Sequence, residues 1–289
     1  MRNIAVIPAR FGSQRLPGKP LVKIGDRALI EHVYRRASQA RRVDRVLVAT
    51  DDPQIHEAVI AFGGECIMTS AEHPSGTDRV AEAVADLDID LVANVQGDEP
   101  FIDPQVIDQA IAACERHERT IATVASPISS AEEFWDPNVV KVVVNRQGFA
   151  LYFSRWPIPF VASPTMSSDE IKRLYQRQAP PPAGSCLQHL GLYVYPKPLL
   201  QELTRIAPSP LERQERLEQI RALECGMPIY VELTQATSLA VDTPADLERA
   251  REFYRENHHG DNEMSPNKPD ITDKTNREEM NAASPLEPR

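Results

Sequence analysis

The sequence has 289 residues, of which 42% are hydrophobic and 26% are charged, as is usual for a globular protein. Its 42 acidic and 32 basic residues give a formal net charge of −10, which argues against a nucleic-acid partner. No apolar run approaches the roughly 18 residues of a transmembrane helix, and no signal peptide is evident. The four cysteines form no C-x-x-C pair, which disfavours a disulfide framework and a structural zinc site. We therefore expect a cytoplasmic protein with no membrane partner.

Short β-branched runs alternate with amphipathic segments in the first half of the sequence. The predicted strands are 3–8, 45–50, 66–68, 91–95 and 121–125. The predicted helices are 28–40, 53–62, 78–85 and 104–116. This alternation predicts an α/β fold with a mostly parallel central sheet. Ligands of such sheets bind beyond the carboxyl ends of the strands, so the loops at those ends are the candidate sites.

The pattern changes from about residue 139. Two predicted strands, 139–144 and 150–153, flank a turn, and residues 157–184 contain six prolines and are expected to be irregular. The remaining predicted elements are a strand at 190–195, a helix at 210–224, a strand at 229–233 and a helix at 244–257. The polar residues 258–289 are predicted to form a disordered tail.

The loop after the first strand carries Arg10, Arg15 and Lys19, with glycines between them. Guanidinium and ammonium groups neutralise and hydrogen-bond phosphates, so the loop is a candidate polyphosphate site. It lacks the P-loop pattern, because Lys19 is followed by Pro20, and it lacks G-x-G-x-x-G, which disfavours a nicotinamide oxidoreductase. A solvated basic loop remains the alternative.

Two carboxylates far apart in the sequence are candidate ligands of one hard cation. Asp98 follows the strand at 91–95, where a turn is the alternative explanation. Helix capping explains Thr243 and Asp246 at the start of the last helix, but it leaves Asp242 without a role. Mg²⁺ prefers oxygen ligands shared with substrate phosphates, so this pair predicts a magnesium site.

Other polar residues have less specific interpretations. The small residues Ser75 and Gly76 and the guanidinium of Arg79 suit a base or a ribose, or an ordinary helix start. His189 and Tyr193 are four residues apart and face the same side of a predicted strand. Periodicity places Glu218 and Gln219 in the middle of the helix at 210–224, on its solvent side.

Taken together, the motifs of this chain resemble those of the 3-deoxy-manno-octulosonate (Kdo) cytidylyltransferases. The matching strings, in order, are PARFGSQRLPGKPL, SGTDR, NVQGDEP, ALYFSR, HLGLYVY, PSPLE with LEQIRALE, and VDTPADLE. The resemblance spans about residues 2–255. It implies a Rossmann-like nucleotidyltransferase with a smaller mixed dimerisation region at about 130–195, within one domain at 1–257. It also implies that CTP and Kdo give CMP-Kdo and pyrophosphate for lipopolysaccharide biosynthesis, with Mg²⁺ and in a homodimer.

The resemblance also implies a role for each matching residue. Arg10, Arg15 and Lys19 are expected to hold the triphosphate, with Arg15, Lys19, Asp98 and Asp242 forming the catalytic set. Asp98 and Asp242 are the expected Mg²⁺ ligands. Pro8, Ala9, Ser75, Gly76 and Arg79 are expected to line the cytidine pocket, and Gln96 to lie between base and sugar. Arg155, His189, Tyr193, Glu218 and Gln219 are expected to bind the sugar acid, which replaces the surface interpretation of the last two.

Several alternatives stay open at this point. The acceptor could be an 8-amino analogue of Kdo or a sialic acid, because one hydroxyl-to-amine change depends on few residues. A CTP-binding regulator without catalysis is a further alternative, although binding alone does not need the two aspartates. Residues 157–184 and the tail after Asn257 have no secure counterpart in the family pattern.

Overall fold

The computed structural model describes residues 1–13, 15–161, 166–177, 179–182, 184–237 and 239–258. The strands are β1 Asn3–Ala9, β2 Lys23–Ile24, β3 Arg27–Ala28, β4 Arg45–Thr50, β5 Cys66–Met68, β6 Leu91–Asn94, β7 Ile121–Pro127, β8 Lys141–Val144, β9 Ala150–Ser154, β10 Leu187–Pro196 and β11 Ile229–Leu233. The α-helices are α1 Leu29–Ala37, α2 Pro53–Ala61, α3 Gly76–Ala83, α4 Pro104–Arg116, α5 Ala131–Trp135, α6 Ser168–Tyr175, α7 Lys197–Leu203, α8 Pro210–Glu215, α9 Gln219–Glu224 and α10 Pro244–His258. A 3₁₀ helix spans Lys19–Leu21.

The main sheet has the strand order β11-β7-β10-β6-β1-β4-β5, with β8 and β9 attached beside β10. The pairs around β1 and the β7–β11 pair are parallel, whereas β10 runs antiparallel to β6, β7 and β8. Ala9 lies opposite Thr50 in the register of β1 and β4, so these two strands end at the same edge of the sheet. This confirms the predicted α/β class with a mostly parallel sheet.

Helices cover both faces of the sheet, which explains why β6 is buried along its whole length and β1 and β7 at all but one residue each. On one face, Leu29 and Ile30 of α1 and Ile107 of α4 pack in one hydrophobic core. On the other face, Val80 of α3 and Leu200 of α7 pack in a second core. No helix within the described ranges combines the length and the hydropathy that crossing a membrane requires.

The helix predicted at 210–224 is interrupted. Arg216 adopts the left-handed conformation with φ of 55°, so α8 ends before it, and Glu218 is the N-cap of α9. Residues nine apart lie on opposite faces of a continuous helix, yet Arg221 forms two hydrogen bonds of 2.7 and 2.5 Å with the carboxylate of Glu212. The prediction of a single helix with Glu218 and Gln219 in its middle is therefore wrong.

The proline-rich stretch at 157–184 is less irregular than expected. Within it, α6 begins at a capping box in which Ser167 and Glu170 bond each other's backbone N–H groups. The indole of Trp135 donates to the carbonyl oxygen of buried Leu174 at 3.1 Å, which ties α6 to α5. Capping and tertiary contacts thus form a helix where proline content predicts none. Residues 162–165, 178, 183 and the predicted tail from 259 onward lie outside the described residues.

Candidate active site

The basic loop after β1 lies at the carboxyl edge of the sheet, as predicted. Gly18 adopts φ of +65°, a left-handed conformation that suits glycine, and it starts the 3₁₀ helix that carries Lys19. The side chain of Lys19 is 18% exposed, whereas that of Arg15 is 57% exposed. Arg10 lines the same cleft and is exposed. The loop therefore presents one enclosed ammonium and two accessible guanidinium groups.

The two candidate aspartates meet at this ammonium. The Nζ of Lys19 donates to Oδ2 of Asp98 at 2.8 Å and to Oδ1 of Asp242 at 2.9 Å. The backbone N–H of Val241 donates to the carbonyl oxygen of Asp98 at 2.9 Å, which joins the two loops directly. Arg15 also donates to Asp242, at 3.0 Å. Two carboxylates separated widely in sequence thus surround one cation.

Helix capping does not use Asp242, as the sequence indicated. Thr243 accepts from the N–H of Asp246, and the Asp246 carboxylate accepts from the N–H groups of Asp242 and Thr243. The Asp242 carboxylate is left to face Lys19 and Arg15. Capping therefore fixes the backbone of Asp242 while its side chain points into the site.

The charge state of Lys19 reflects two opposing effects. Burial lowers the pKa of its ammonium, but the charges and hydrogen bonds of Asp98 and Asp242 raise it by more, so the pKa lies above its ordinary value. Lys19 is therefore charged at neutral pH. The site presents a fixed positive charge beside two carboxylates.

A large cleft of about 890 Å³ opens beside this cluster. Of the residues assigned to the nucleotide, those that line it are Pro8, Ala9, Arg10, Arg15, Lys19, Gly76, Arg79 and Gln96. A Cβ atom at Gly97 would lie 3.0 Å from the carbonyl oxygen of Pro8, so glycine permits the close approach of these two strand ends.

Two of the predicted nucleotide-pocket residues are engaged within the chain. The guanidinium of Arg79 is almost fully buried, lies 3.2 Å from Asp51 and donates to Thr69 at 2.5 Å. These partners fix its orientation at the cleft. The hydroxyl of Ser75 donates to the Asp78 carboxylate at 2.6 Å and accepts from the Asp78 N–H, so Ser75 caps α3 while Gly76 lines the cleft.

A second group of residues lines the cleft and is called here the Arg155 wall: Arg155 together with Pro137, Asn138 and Val140 of the loop between α5 and β8. The Nε of Arg155 donates to the carbonyl oxygen of Glu215 at 2.9 Å, and its Nη1 donates to that of Pro137 at 2.9 Å. The Glu215 carboxylate accepts from the Arg155 N–H at 3.0 Å and from the Ser154 hydroxyl at 2.8 Å. The guanidinium therefore has a defined position at the edge of the cleft.

Of the other predicted sugar-binding residues, Gln96 lines the cleft, whereas His189, Tyr193, Glu218 and Gln219 are not among its lining residues. The rings of His189 and Tyr193 are 5.1 Å apart. Four residues of regular strand would separate them by about 13 Å, but a register shift in β10 between Leu190 and Tyr193 brings the two rings together. Burial lowers the pKa of His189 to about 3, so its imidazole is neutral. The Thr123 hydroxyl donates to the carbonyl oxygen of Leu192 at 2.6 Å, which leaves it to accept from Nε2 of His189 at 2.8 Å.

A carboxylate and an unpartnered hydroxyl lie in the same region. Burial raises the pKa of Glu218, although the Thr77 hydroxyl, which donates to it at 2.6 Å, lowers it in part. Gln219, the next residue, is buried. The buried hydroxyl oxygen of Tyr193 has no hydrogen-bond partner among the described residues. A buried polar atom without a partner is costly, so a polar ligand atom would be stabilised there.

Sequence reasoning missed several residues that shape the site. Thr77, within the SGTDR string, donates to Glu218, a contact that the string does not indicate, and Glu215, which holds Arg155, belongs to no pattern with a distinctive spacing. Arg216 lines the cleft at the unexpected break between α8 and α9. Lys141 interrupts the apolar run VVKVVV, and this lone charge within a strand was the one signal available.

The fold and this site define a class. A Rossmann-like sheet carries basic side chains and two convergent carboxylates at the carboxyl ends of its strands, the position at which such folds bind nucleotides. The cytidylyltransferase family model matches residues 4–229. The chain is thus a nucleotidyltransferase.

Relatives with known names narrow the class. The 3-deoxy-manno-octulosonate cytidylyltransferase of Syntrophotalea carbinolica is 47% identical over 256 residues, which are 88% of this chain and 99% of that protein. The protein of the same name from Pelobacter propionicus is also 47% identical over 256 residues, which are 88% of this chain and 98% of that protein. This chain belongs to the 3-deoxy-manno-octulosonate cytidylyltransferase family, which confirms the resemblance of its motifs.

A solved structure has the same fold. The CMP:2-keto-3-deoxy-manno-octonic acid synthetase complexed with CTP is 39% identical and superposes with a TM-score of 0.77. The match covers 89% of this chain and 100% of the solved one. The predicted fold class is confirmed by this likeness.

Proposed function

We propose that this chain transfers CMP from CTP to the anomeric hydroxyl of Kdo, giving CMP-Kdo and pyrophosphate for lipopolysaccharide biosynthesis. The observation that carries the proposal is the convergence of Asp98 and Asp242 on the Lys19 ammonium beside a basic cleft. The names of the relatives and the CTP complex of the solved structure support the two substrates. Binding of CTP alone would not need two carboxylates at the phosphate site.

The triphosphate lies along the basic loop in this proposal. Arg10 and Arg15 are accessible to it, and the charged Lys19, on the same loop, lines the cleft but is largely buried. Pro8, Ala9, Ser75, Gly76 and Arg79 surround the cytidine, and Gln96 separates the base from the acceptor. Guanidinium groups bind phosphates in two-point contacts, which fixes the nucleotide as well as neutralising it.

Magnesium fits the donor set that the chain offers. Asp98 and Asp242 already share one cation, the Lys19 ammonium. Among the described residues, no cluster of three or more His, Cys, Asp or Glu side chains forms a complete metal site. Two carboxylates completed by substrate phosphates and water are typical of Mg²⁺. We propose that these residues hold Mg²⁺, which supplies charge neutralisation at the phosphates when bound.

The sugar acid lies on the opposite side of the cleft. Its carboxylate needs a cation, and Arg155 has the position for it. Three of the five N–H groups of that guanidinium donate to carbonyl oxygens, of Glu215 and Pro137 at 2.9 Å and of Arg216 at 3.4 Å, which leaves two for a ligand. His189, Tyr193, Glu218 and Gln219 supply neutral and acidic groups for sugar hydroxyls. The unpartnered Tyr193 hydroxyl supports this assignment.

The chain's contribution to the reaction is positioning and electrostatic stabilisation. The anomeric hydroxyl oxygen of Kdo attacks the α-phosphorus in line and its proton passes to water. The bond from that phosphorus to the bridging oxygen of the β-phosphate breaks, and pyrophosphate leaves. Arg15 and Lys19 stabilise the charge that develops on the leaving pyrophosphate. Arg155 holds the acceptor so that its hydroxyl faces the phosphorus.

We further propose a cytoplasmic homodimer. The four free cysteines fit a reducing compartment. Leu151, Trp156 and Phe160 are 59%, 67% and 71% exposed and lie close together in sequence at and after the edge strand β9. They fall within 130–195, the region to which the resemblance assigns dimerisation. An exposed group of large apolar side chains favours a protein interface.

A screen of pyrophosphate release tests the proposed reaction. The full chain with Mg²⁺ is given CTP, ATP, GTP or UTP, each with Kdo, 8-amino-Kdo or a sialic acid. We expect release with CTP and Kdo at a rate at least tenfold above every other pair. Faster release with another acceptor contradicts the Kdo assignment. CTP binding without release for any sugar acid favours a regulator.

A further inference from the structure

Lys141 is a buried cation whose hydrogen-bond partners are all backbone oxygens. It is the first residue of β8 and its exposed fraction is 0%. Its Nζ donates to the carbonyl oxygens of Asp136 and Val139, both at 2.7 Å, and of Arg155 at 3.1 Å. None of the described residues offers it a carboxylate at ion-pair distance. An ammonium removed from water without a counter-ion is costly.

The three carbonyl oxygens belong to one wall of the cleft. Asp136 and Val139 delimit the loop whose members Pro137 and Asn138 line that cleft, and Arg155 lines it from the neighbouring strand end. Arg155 also donates from Nη1 to Pro137. The loop and Arg155 are therefore joined twice: at the cleft by the guanidinium, and beneath it by Lys141.

An apolar residue would suit the strand better if packing were the only requirement. The neighbouring Val142 is buried in the hydrophobic core, and a methionine has nearly the length of a lysine. Replacing a buried charge by an apolar group of similar volume is often neutral or stabilising. A methionine, however, has no N–H groups to donate to the three carbonyl oxygens in the wall of the cleft.

We infer that Lys141 is a positioning residue for the acceptor: it fixes the loop at 136–140 against Arg155, so that the guanidinium faces the carboxylate of the sugar acid. The inference rests on the proposed function for the identity of that acceptor. Lys141 does not touch the substrate and acts through Arg155 and the loop. Its loss should affect the sugar side of the cleft, because its hydrogen bonds go to the backbone of Asp136, Val139 and Arg155 and not to the basic loop after β1.

Steady-state kinetics of Lys141→Met tests the inference. We expect the KM for Kdo to rise at least tenfold while the KM for CTP stays within twofold of the unsubstituted chain. Val142→Ala is the matched control, since it removes buried atoms from the next residue, whose side chain faces the other side of the strand. The control lowers thermal stability and leaves both KM values unchanged.

The outcomes separate positioning from plain stability. If Lys141→Met behaves like Val142→Ala, with a lower melting temperature and unchanged KM for Kdo, the inference is overturned. Equal increases in both KM values also overturn it. If Lys141→Met does not fold, Lys141→Gln takes its place: its amide stops short of the three carbonyls, so a rise in the KM for Kdo is again expected and an unchanged value overturns the inference.

Amide hydrogen exchange gives a readout that does not depend on the acceptor's identity. In Lys141→Met, amides at 138–140 and 155–156 should exchange at least tenfold faster, while those of β1 and β6 keep their rates. Unchanged exchange in the wall contradicts the role of Lys141, even if no sugar acid proves to be a substrate. If the unsubstituted chain releases no pyrophosphate but the wall amides of Lys141→Met exchange faster, the proposed reaction is contradicted and the role of Lys141 in holding the wall is not.

Discussion

At the scale of single residues, Lys19 has the most demanding position in the site. Its ammonium lies between two carboxylates, and its pKa stays above the ordinary value despite burial. The sequence predicted that the two aspartates share one cation, because Asp98 follows a central strand and helix capping leaves Asp242 without a partner. It could not predict that the lysine itself bridges the aspartates, since that depends on the left-handed turn at Gly18.

Replacing Lys19 tests its role toward CTP. We expect Lys19→Ala to lower kcat/KM for CTP by about 10- to 100-fold, because a hydrogen bond to a charged group contributes about 1.5–3 kcal/mol. Lys23→Ala, at an exposed lysine on β2, is the matched control and keeps normal kinetics. A large drop in melting temperature with normal CTP kinetics in Lys19→Ala would show that the residue is structural.

The buried ammonium of Lys141 is expected to make the free energy of unfolding depend on pH. Burial lowers the pKa of its ammonium from 10.5 to about 8, with Arg155 acting in the same direction and Asp136 and Cys186 opposing. Between about pH 8 and 10.5 the unfolded chain keeps a proton that the folded chain has lost, so this residue's contribution to the free energy of unfolding rises with pH.

Urea unfolding at pH 7.5 and pH 10 measures this contribution. The stability of the unsubstituted chain relative to Lys141→Met should increase between the two pH values, by on the order of 2 kcal/mol. The comparison with the variant cancels every other titrating group that both chains share. A difference that is the same at both pH values would mean that Lys141 keeps its proton throughout.

At the scale of elements, most strands and helices were predictable and the break at Arg216 was not. Strands such as Arg45–Thr50 and helices such as Pro104–Arg116 have clear apolar periodicity and capping residues, and they occur where predicted. The break depends on tertiary contacts: Glu212 forms an ion pair with Arg221, and Glu218 accepts a hydrogen bond from the Thr77 hydroxyl on α3. Local periodicity contains no information about those partners.

The ion pair across the break stabilises this arrangement. Both side chains are nearly buried, at 7% and 8% exposure, and removing one member of a buried pair typically costs about 3–5 kcal/mol. We expect Glu212→Gln to lower the free energy of unfolding by about 3 kcal/mol and to raise the KM for Kdo, because α9 carries Gln219.

An exposed ion pair supplies the control for this measurement. Glu248→Gln removes the partner of Arg251 on α10, where the side chains are 61% and 38% exposed, and it should change stability by less than about 1 kcal/mol. Denaturant unfolding of both variants gives the comparison. Equal effects of the two substitutions would show that the Glu212–Arg221 pair does not hold the two helices together.

At the scale of the whole molecule, one edge of the sheet is the expected contact between two copies. A charged residue at Trp156 should disrupt that contact, since this indole is 67% exposed beside the edge strand. Light scattering at micromolar concentration should give the mass of a dimer for the unsubstituted chain and of a monomer for Trp156→Glu. A monomeric unsubstituted chain would contradict the homodimer, and a dimeric variant would place the contact elsewhere.

One part of the cleft could be predicted from the sequence and the other could not. The two walls of the cleft come from different parts of the chain: the basic loop with Asp98 and Asp242, and the segment with Pro137 and Arg155. The first wall follows from the strand order, the capping at Thr243 and the turn at Gly18, and the first two of these have signals in the sequence. The second wall depends on the pairing of β8 with β9 and on the hydrogen bond that the Glu215 carboxylate accepts from the Arg155 N–H. These are tertiary features that no local pattern specifies.

The proposed reaction requires Asp98 and Asp242 to hold one divalent ion jointly at the phosphates. The most direct measurement is the Mg²⁺ dependence of pyrophosphate release by the unsubstituted chain, Asp98→Asn and Asp242→Asn. Each substitution should lower turnover by about 100-fold or more at saturating Mg²⁺, by the scale for a lost electrostatic group, with the melting temperature nearly unchanged. Near-normal turnover of either variant at saturating Mg²⁺ would contradict it.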